Sequence, residues 1–235
     1  MPILKKILFF SSAWGNEELF AHQIKALSPE YEVVFPNIHS YQSISEMAEH
    51  VLNHYQKEDI ACLIGISMGG FIVQEILIRQ PDFSPKAVII ASFSQRHPEQ
   101  VEDFLKHIMA EVQLGKLADI APLFAQAVLS EKAFNNPGLR NIVETMPIKL
   151  GTQSCLNHHA ACIGWRDHTD QLPSIQASTL IIASPEDAGA PLVQVQALKA
   201  IPHSEFKTIE NSGHLIPLEQ AAITTDLIRE WLIKK

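Results

Sequence analysis

What is scarce in this 235-residue chain narrows its nature first. Cysteine occurs three times, at Cys62, Cys155 and Cys162, each in apolar surroundings. A sparse, odd-numbered set does not build a disulfide framework, and it points to a reducing compartment, the cytoplasm. Positive charge is also short: 18 Lys and Arg stand against 26 Asp and Glu, a formal net charge of -8. Nucleic acid is disfavoured as a partner, because a phosphate backbone calls for a basic stripe that the sequence does not contain. No run approaches the roughly 18 apolar residues of a membrane span, so no membrane partner is expected. The amino terminus, Met1 to Phe10, carries Lys5 and Lys6 within a short apolar segment and no small-residue cleavage site; it reads as a strand rather than a signal peptide. Linker-like Gly/Ser or charge-block segments are missing too. With 46% hydrophobic residues the chain can bury a large core, and one domain spanning 1–235 is expected.

What is present centres on Ile60-Ala61-Cys62-Leu63-Ile64-Gly65-Ile66-Ser67-Met68-Gly69-Gly70. A short apolar run reads as a buried parallel strand, and it ends in Gly-x-Ser-x-Gly before a long apolar helical stretch. A serine at such a sharp turn is held in a strained conformation that lifts its hydroxyl out of the fold, while glycines at 65 and 69 avoid collision with neighbouring elements. The helix beginning at Met68 aims that residue's amide, and the positive end of its dipole, at an anion forming on a carbonyl attacked by Ser67.

A serine alone is a poor nucleophile; it needs a histidine to take its proton and a carboxylate to orient that histidine. A second buried strand, Ser178 to Ser184, runs into Pro185-Glu186-Asp187-Ala188-Gly189-Ala190-Pro191, where Asp187 is preferred to Glu186 as the acid. Such loops at the carboxyl ends of parallel strands carry the chemistry of open α/β sheets. The histidine candidate is His214, in Asn211-Ser212-Gly213-His214-Leu215 after a strand-like segment, with Gly213 expected to let the backbone turn.

These three motifs, in the order serine, acid, histidine, resemble the α/β-hydrolase superfamily over nearly the whole chain. The resemblance implies Ser67 as nucleophile, His214 as general base and then acid, and Asp187 as its orienting partner, with no cofactor. Serine at position 67 argues against the branches that use an aspartate nucleophile there. After the first strand the family carries His-Gly, followed by the second oxyanion donor. Here Ser11-Ser12 stands in that place, so the resemblance implies Ala13 as donor beside Met68, with the Trp14 amide as a fallback. Two leading family strands have no room, hence a doubly wound, mostly parallel sheet of about six strands.

Alternation of strands and helices stops after Phe93, and only helical patterns remain until about Trp165. Val101, Phe104, Leu105, Ile108 and Val112 lie at helical spacing with Gly115 as a stop, and Pro122, Pro137 and Pro147 are expected to cut the rest into short helices. This insertion, 94–165, resembles the superfamily's cap over a core of 1–93 and 166–235, and Trp14, Phe93, Trp165 and Leu215 are expected to line the substrate pocket. His39 reads as a solvated loop residue, with a place at the mouth of the site as the alternative. Cys155, His158, His159 and Cys162 match no common zinc spacing, so no metal is expected. Arg166 and Asp167 read as an ion pair or solvated, and Ile223, Leu227, Ile228 and Trp231 mark one face of a terminal helix.

The residues thus point to a hydrolase that forms an acyl-enzyme with a small-molecule acyl substrate, as a monomer or homodimer. A slow or inactive binding protein on the same fold is the alternative class. Carboxylesterases, enol-lactonases, thioesterases, carbon–carbon hydrolases and aminopeptidases share the framework. The segment Ala160 to Asp167 looks like the enol-lactonase and small-esterase branch.

Overall fold

The computed structural model describes residues 4–234, so Met1, Pro2 and Ile3 of the amino-terminal run lie outside the described residues. Six strands form one parallel sheet: β1 Lys6–Phe10, β2 Glu32–Val34, β3 Ile60–Ile66, β4 Lys86–Ile90, β5 Ser178–Ala183 and β6 Ser204–Thr208. The helices are α1 Ala21–Leu27, α2 Ile44–His54, α3 Met68–Arg79, α4 Glu99–Gln113, α5 Leu117–Val128, α6 Glu131–Phe134, α7 Pro137–Leu150, α8 Thr152–Ile163, α9 Leu192–Val195, α10 Ile216–Glu219 and α11 Ala221–Ile233.

The strand order is β2-β1-β3-β4-β5-β6. The chain steps outward from β1 to β2, then reverses and crosses to the other side of β1 to lay down β3. Right-handed crossovers require that reversal to move the helices to the opposite face, and the packing agrees: α2 lies against α3, while α1 lies against α11. The reversal also leaves a crevice at the carboxyl ends of β1 and β3, the place where open α/β sheets hold ligands.

Sequence patterns explain the elements. The interior strands are buried on both faces, β3 and β4 almost without interruption, so they are apolar runs rather than alternating ones. Ser43 caps α2 by accepting from the Glu46 amide, and Ile44, Met47 and Val51 are buried along one face of that helix. α3 is different: its residues 68–77 are all buried, between the sheet and its neighbours. On α11, Ile228 and Trp231 face the core, but Ile223 is exposed and drops out of the expected apolar stripe.

Between β4 and β5 the chain forms α4 to α8. Gly115, at φ 84°, ends α4 as its left-handed conformation permits. The prolines act differently from expectation. Pro137 starts α7, where its missing N–H costs nothing. Pro122 lies inside α5 and Pro147 in the last turn of α7, and neither ends a helix. Tertiary packing of Ile120, Ala121, Ala125, Val143 and Met146 outweighs the one backbone bond each proline removes.

Candidate active site

β3 delivers Ser67 to the carboxyl edge of the sheet at φ 54° and ψ -118°, a backbone conformation that costs of order 1–3 kcal/mol for a non-glycine residue. Backbone bonds hold it there. The Ser67 amide donates to Ile90 O at 2.9 Å, and its carbonyl accepts from Gly70 N at 2.8 Å and Ser92 Oγ at 3.0 Å. Although Ser67 occupies the capping position of α3, its side chain caps nothing, so the hydroxyl is not spent on the helix. The turn tolerates no side chains at its glycines: a Cβ on Gly65 would lie 2.2 Å from Gly69 O, and one on Gly69 2.1 Å from Phe10 O. α3 therefore sits directly on β1 and β3, and the Met68 amide opens it with no protein acceptor among the described residues.

Asp187 and His214 meet across the ends of β5 and β6. His214 Nδ1 is 2.9 Å from Asp187 Oδ2 and 3.0 Å from Oδ1, and Oδ1 also accepts from the amides of Gly189 at 2.8 Å and Ala190 at 3.0 Å. Two backbone donors fix the carboxylate, and the carboxylate orients the ring. Burial pushes the His214 pKa down, but the charge and hydrogen bond of Asp187, aided by Glu219, outweigh it and hold the pKa above the usual histidine value. Glu186 is exposed and turned elsewhere, accepting from the Ser212 amide at 2.9 Å and thus shaping the histidine loop rather than contacting the ring. No hydrogen bond joins Ser67 Oγ to His214 among the described residues; the acid–histidine half of the constellation is closed and the serine–histidine half is open.

Gly213 has another purpose than turning. Its φ is not in the left-handed region; Asn211, at φ 57°, makes the turn. A Cβ on Gly213 would lie 2.6 Å from Ser130 N and 2.8 Å from Leu129 C, because the end of α5 presses on this loop. His214 N donates to Val128 O at 2.8 Å, and Glu219 accepts from both Gly213 N and Ser130 N. Glu219, to which the sequence assigns no role, clasps the insertion to the histidine loop.

The loop after β1 runs beside Ser67, since Phe10 pairs with Gly65. Gly15 N closes a turn onto Ser12 O, with Trp14 at φ 62°. Ala13 is half-buried and its amide has no protein acceptor among the described residues. The Trp14 amide is taken: it donates to His158 Nδ1 at 3.1 Å, which removes the fallback donor. The Trp14 indole is fully buried in a second cluster with Val112, Leu117, Ile120 and Cys155, and donates to Cys155 O, so it lines no open pocket.

The other expected pocket residues are packed as well. Phe93 and Trp165 gather on Phe71, one turn beyond Ser67 on α3: Trp165 stacks on it at 4.6 Å and Phe93 meets it edge-on at 5.2 Å. Leu215 is fully buried in the main core. Phe71 is the aromatic hub, and only its position four residues after the serine could have signalled it. His39 is not solvated; it is half-buried and its Nδ1 lies 3.0 Å from His158 Nε2. Within the Cys/His group of α8, His158 faces Trp14 N and His39, His159 stacks on the Trp14 ring at 4.7 Å, and Cys155 Sγ donates to Pro147 O. Among the described residues no group of three or more His, Cys, Asp or Glu could hold a metal ion. Arg166 and Asp167 are both exposed, Asp167 accepting from Thr169 N rather than pairing with Arg166.

The family model described as alpha/beta hydrolase family matches residues 7–227. A poly(3-hydroxyalkanoate) depolymerase of Ectopseudomonas oleovorans is 24% identical over 98% of this chain and 85% of its own length. Among solved structures, a thermophilic esterase from Thermogutta terrifontis superposes with a TM-score of 0.86 at 22% identity, covering 98% of this chain and 90% of that one. The enol-lactonase from Burkholderia xenovorans LB400 gives 0.85 at 16% identity, covering 98% and 92%. At these identities the superpositions speak for the fold.

Proposed function

This chain belongs to the alpha/beta hydrolase family, and from that premise we propose that it is a serine hydrolase cleaving a small or medium-sized ester-type substrate, a carboxylate ester or a lactone, through an acyl-enzyme on Ser67. The observation that carries the reading is the closed Asp187–His214 pair standing at the same sheet edge as a serine whose strained backbone withholds its hydroxyl from the helix it precedes. The names esterase, enol-lactonase and depolymerase among the relatives support ester-type chemistry.

His214 Nδ1–H donates to Asp187, which leaves the Nε2 lone pair to take the Ser67 proton. Ser67 Oγ then adds to the substrate carbonyl, and the negative charge developing on that oxygen is met by the amides of Met68 and Ala13. Each such donor is worth about 10²–10³ in rate. The tetrahedral intermediate collapses as His214 returns the proton to the leaving alkoxide, which departs as an alcohol, or stays tethered when the substrate is a lactone. Water, deprotonated by His214, then adds to the acyl carbonyl, and His214 returns that proton to Ser67 Oγ as the acid leaves. The chemistry requires no cofactor, and the partner is a small-molecule acyl substrate. Residues 94–165 act as a cap on a core of 1–93 and 166–235, excluding water and selecting the acyl group. A cytoplasmic monomer or homodimer completes the reading.

A fluorophosphonate probe tests it. We expect covalent labelling of the wild-type chain and none of a folded Ser67→Ala variant, together with turnover in a panel of p-nitrophenyl esters, lactones and amino-acid amides. Equal labelling, or full ester hydrolysis, in folded Ser67→Ala would overturn the assignment. A non-catalytic binding protein is the second reading, drawn from the open Ser67–His214 contact, and it predicts no labelling at all.

A further inference from the structure

The cap reaches the oxyanion loop through one histidine that the mechanism above does not use. The Trp14 amide donates to His158 Nδ1 at 3.1 Å, so that nitrogen carries a lone pair and the proton of the neutral ring sits on Nε2. Nε2 lies 3.0 Å from His39 Nδ1, and the remaining proton can only be donated to it. One backbone amide thereby sets the tautomers of two rings drawn from two other parts of the fold, α8 and the loop after β2.

The surroundings keep this chain of donors neutral. His158 is fully buried, and burial, with His39 and His159 nearby, pushes its pKa down to about 3. Burial also holds His39 below the ordinary value, against the opposing pull of Glu17. The titratable groups facing the pair are Glu17 beside His39 and His159 from α8 itself. The Asn157 side chain donates to His39 O at 2.9 Å, a second tie between the same two segments. Ser12, His39, His158 and Met68 border one small cavity, so this cluster lies beside one candidate oxyanion donor, Met68, while Trp14, which His158 holds, follows the other, Ala13, directly in the chain. Trp14 itself stands at φ 62°, a conformation that a tryptophan keeps only when its surroundings impose it.

We propose that His158 is a positioning residue for the oxyanion hole: its Nδ1 anchors the Trp14 amide and, with His39 setting its tautomer, fixes the peptide next to Ala13 so that the Ala13 amide faces the carbonyl attacked by Ser67. The proposal rests on the reading of Ser67 as nucleophile. It makes the placement of α8 and the alignment of the oxyanion hole one event, since a displaced α8 withdraws the acceptor from Trp14.

The test compares His158→Ala and His158→Asn with wild type and Ser67→Ala, using p-nitrophenyl butyrate hydrolysis and imidazole nitrogen NMR. His158→Ala should lower kcat by about 10- to 100-fold, the scale of a misaligned oxyanion donor, with KM changed less than about threefold. In His158→Asn the amide Oδ1 stands where Nδ1 stood, and kcat should return to within about threefold of wild type. The wild-type spectrum should show His158 as the Nε2–H tautomer and still neutral at about pH 5, below the ordinary histidine pKa. Unchanged kcat in folded His158→Ala, equal losses in the Ala and Asn variants, or an Nδ1–H tautomer would each overturn the proposal. Should His158→Ala fail to fold, the wild-type tautomer and the Asn variant decide. Full activity in Ser67→Ala would sink the nucleophile reading instead, while the tautomer still reports on His158.

Discussion

Gly213→Ala isolates the contact between the insertion and the histidine loop, because Gly213 does not need a glycine's backbone freedom. The added Cβ would lie 2.6 Å from Ser130 N and 2.8 Å from Leu129 C and Val128 O, where ordinary contact begins at 3.4 Å. All three are backbone atoms, so no side-chain rotation relieves the overlap, and either the end of α5 or the histidine loop must retreat. Overpacking of this kind costs about 1–3 kcal/mol. Retreat also strains the bonds from His214 N to Val128 O and from Ser130 N to Glu219, each worth about 1 kcal/mol. The stiffer unfolded chain of an alanine variant offsets about 0.4–1 kcal/mol. The net loss is about 2–4 kcal/mol, which for a domain of this length lowers Tm by about 5–15 °C. Because His214 rides on the displaced loop, kcat should fall by up to about 10²-fold, the cost of a misplacement near 1 Å. Thermal unfolding followed by circular dichroism and ester hydrolysis at 25 °C read the two effects. Gly138→Ala, at an exposed helix start whose nearest neighbour is the Asn136 side chain at 3.3 Å, is the control: it should leave kcat unchanged and, through the stiffer unfolded chain alone, raise Tm by about 1–4 °C rather than lower it. A Gly213→Ala protein with wild-type Tm and wild-type kcat would refute the reasoning.

Asp187→Asn should cut turnover by about 10⁴-fold, since the histidine loses its orienting charge and its correct tautomer, whereas Glu186→Gln should cost far less; the reverse order in steady-state kinetics would shift the acid by one residue. The acidic limb of the kcat/KM profile should have its midpoint above about 6.5, because the base must be neutral and Asp187 lifts the His214 pKa. His214→Ala should abolish that limb, which kinetics from about pH 5 to 9 would register. The same raised pKa makes the His214 contribution to stability largest below the unfolded-state value and diminishes it as pH rises through the folded one, so the Tm gap between wild type and His214→Ala should narrow toward alkaline pH.

Much of the fold was legible because it rests on local chemistry. Buried parallel strands are necessarily apolar runs, so β1, β3, β4 and β5 announce themselves, and Gly65-x-Ser67-x-Gly69 is a turn whose glycines answer to atoms a few residues away or on the adjacent strand. The positions of the candidate serine, acid and histidine follow from the same logic, each set by the strand before it. The outcome at Pro122 and Pro147 was not legible, because helices held by packed neighbours tolerate a missing backbone bond that an isolated helix would not.

The sequence by itself determined the alternation of strands and helices, the strained serine turn and the order of the candidate groups, since all of these depend on residues near one another along the chain. Only the tertiary structure decided what Trp14, His39, His158, Gly213 and Glu219 do. Trp14 and His158 are 144 positions apart, and Ser130 and Glu219 are 89 apart. No periodicity or spacing encodes such pairs. Their roles arise when the insertion folds back onto the sheet edge, where a buried amide must find an acceptor and a glycine must yield its Cβ volume to another segment's backbone.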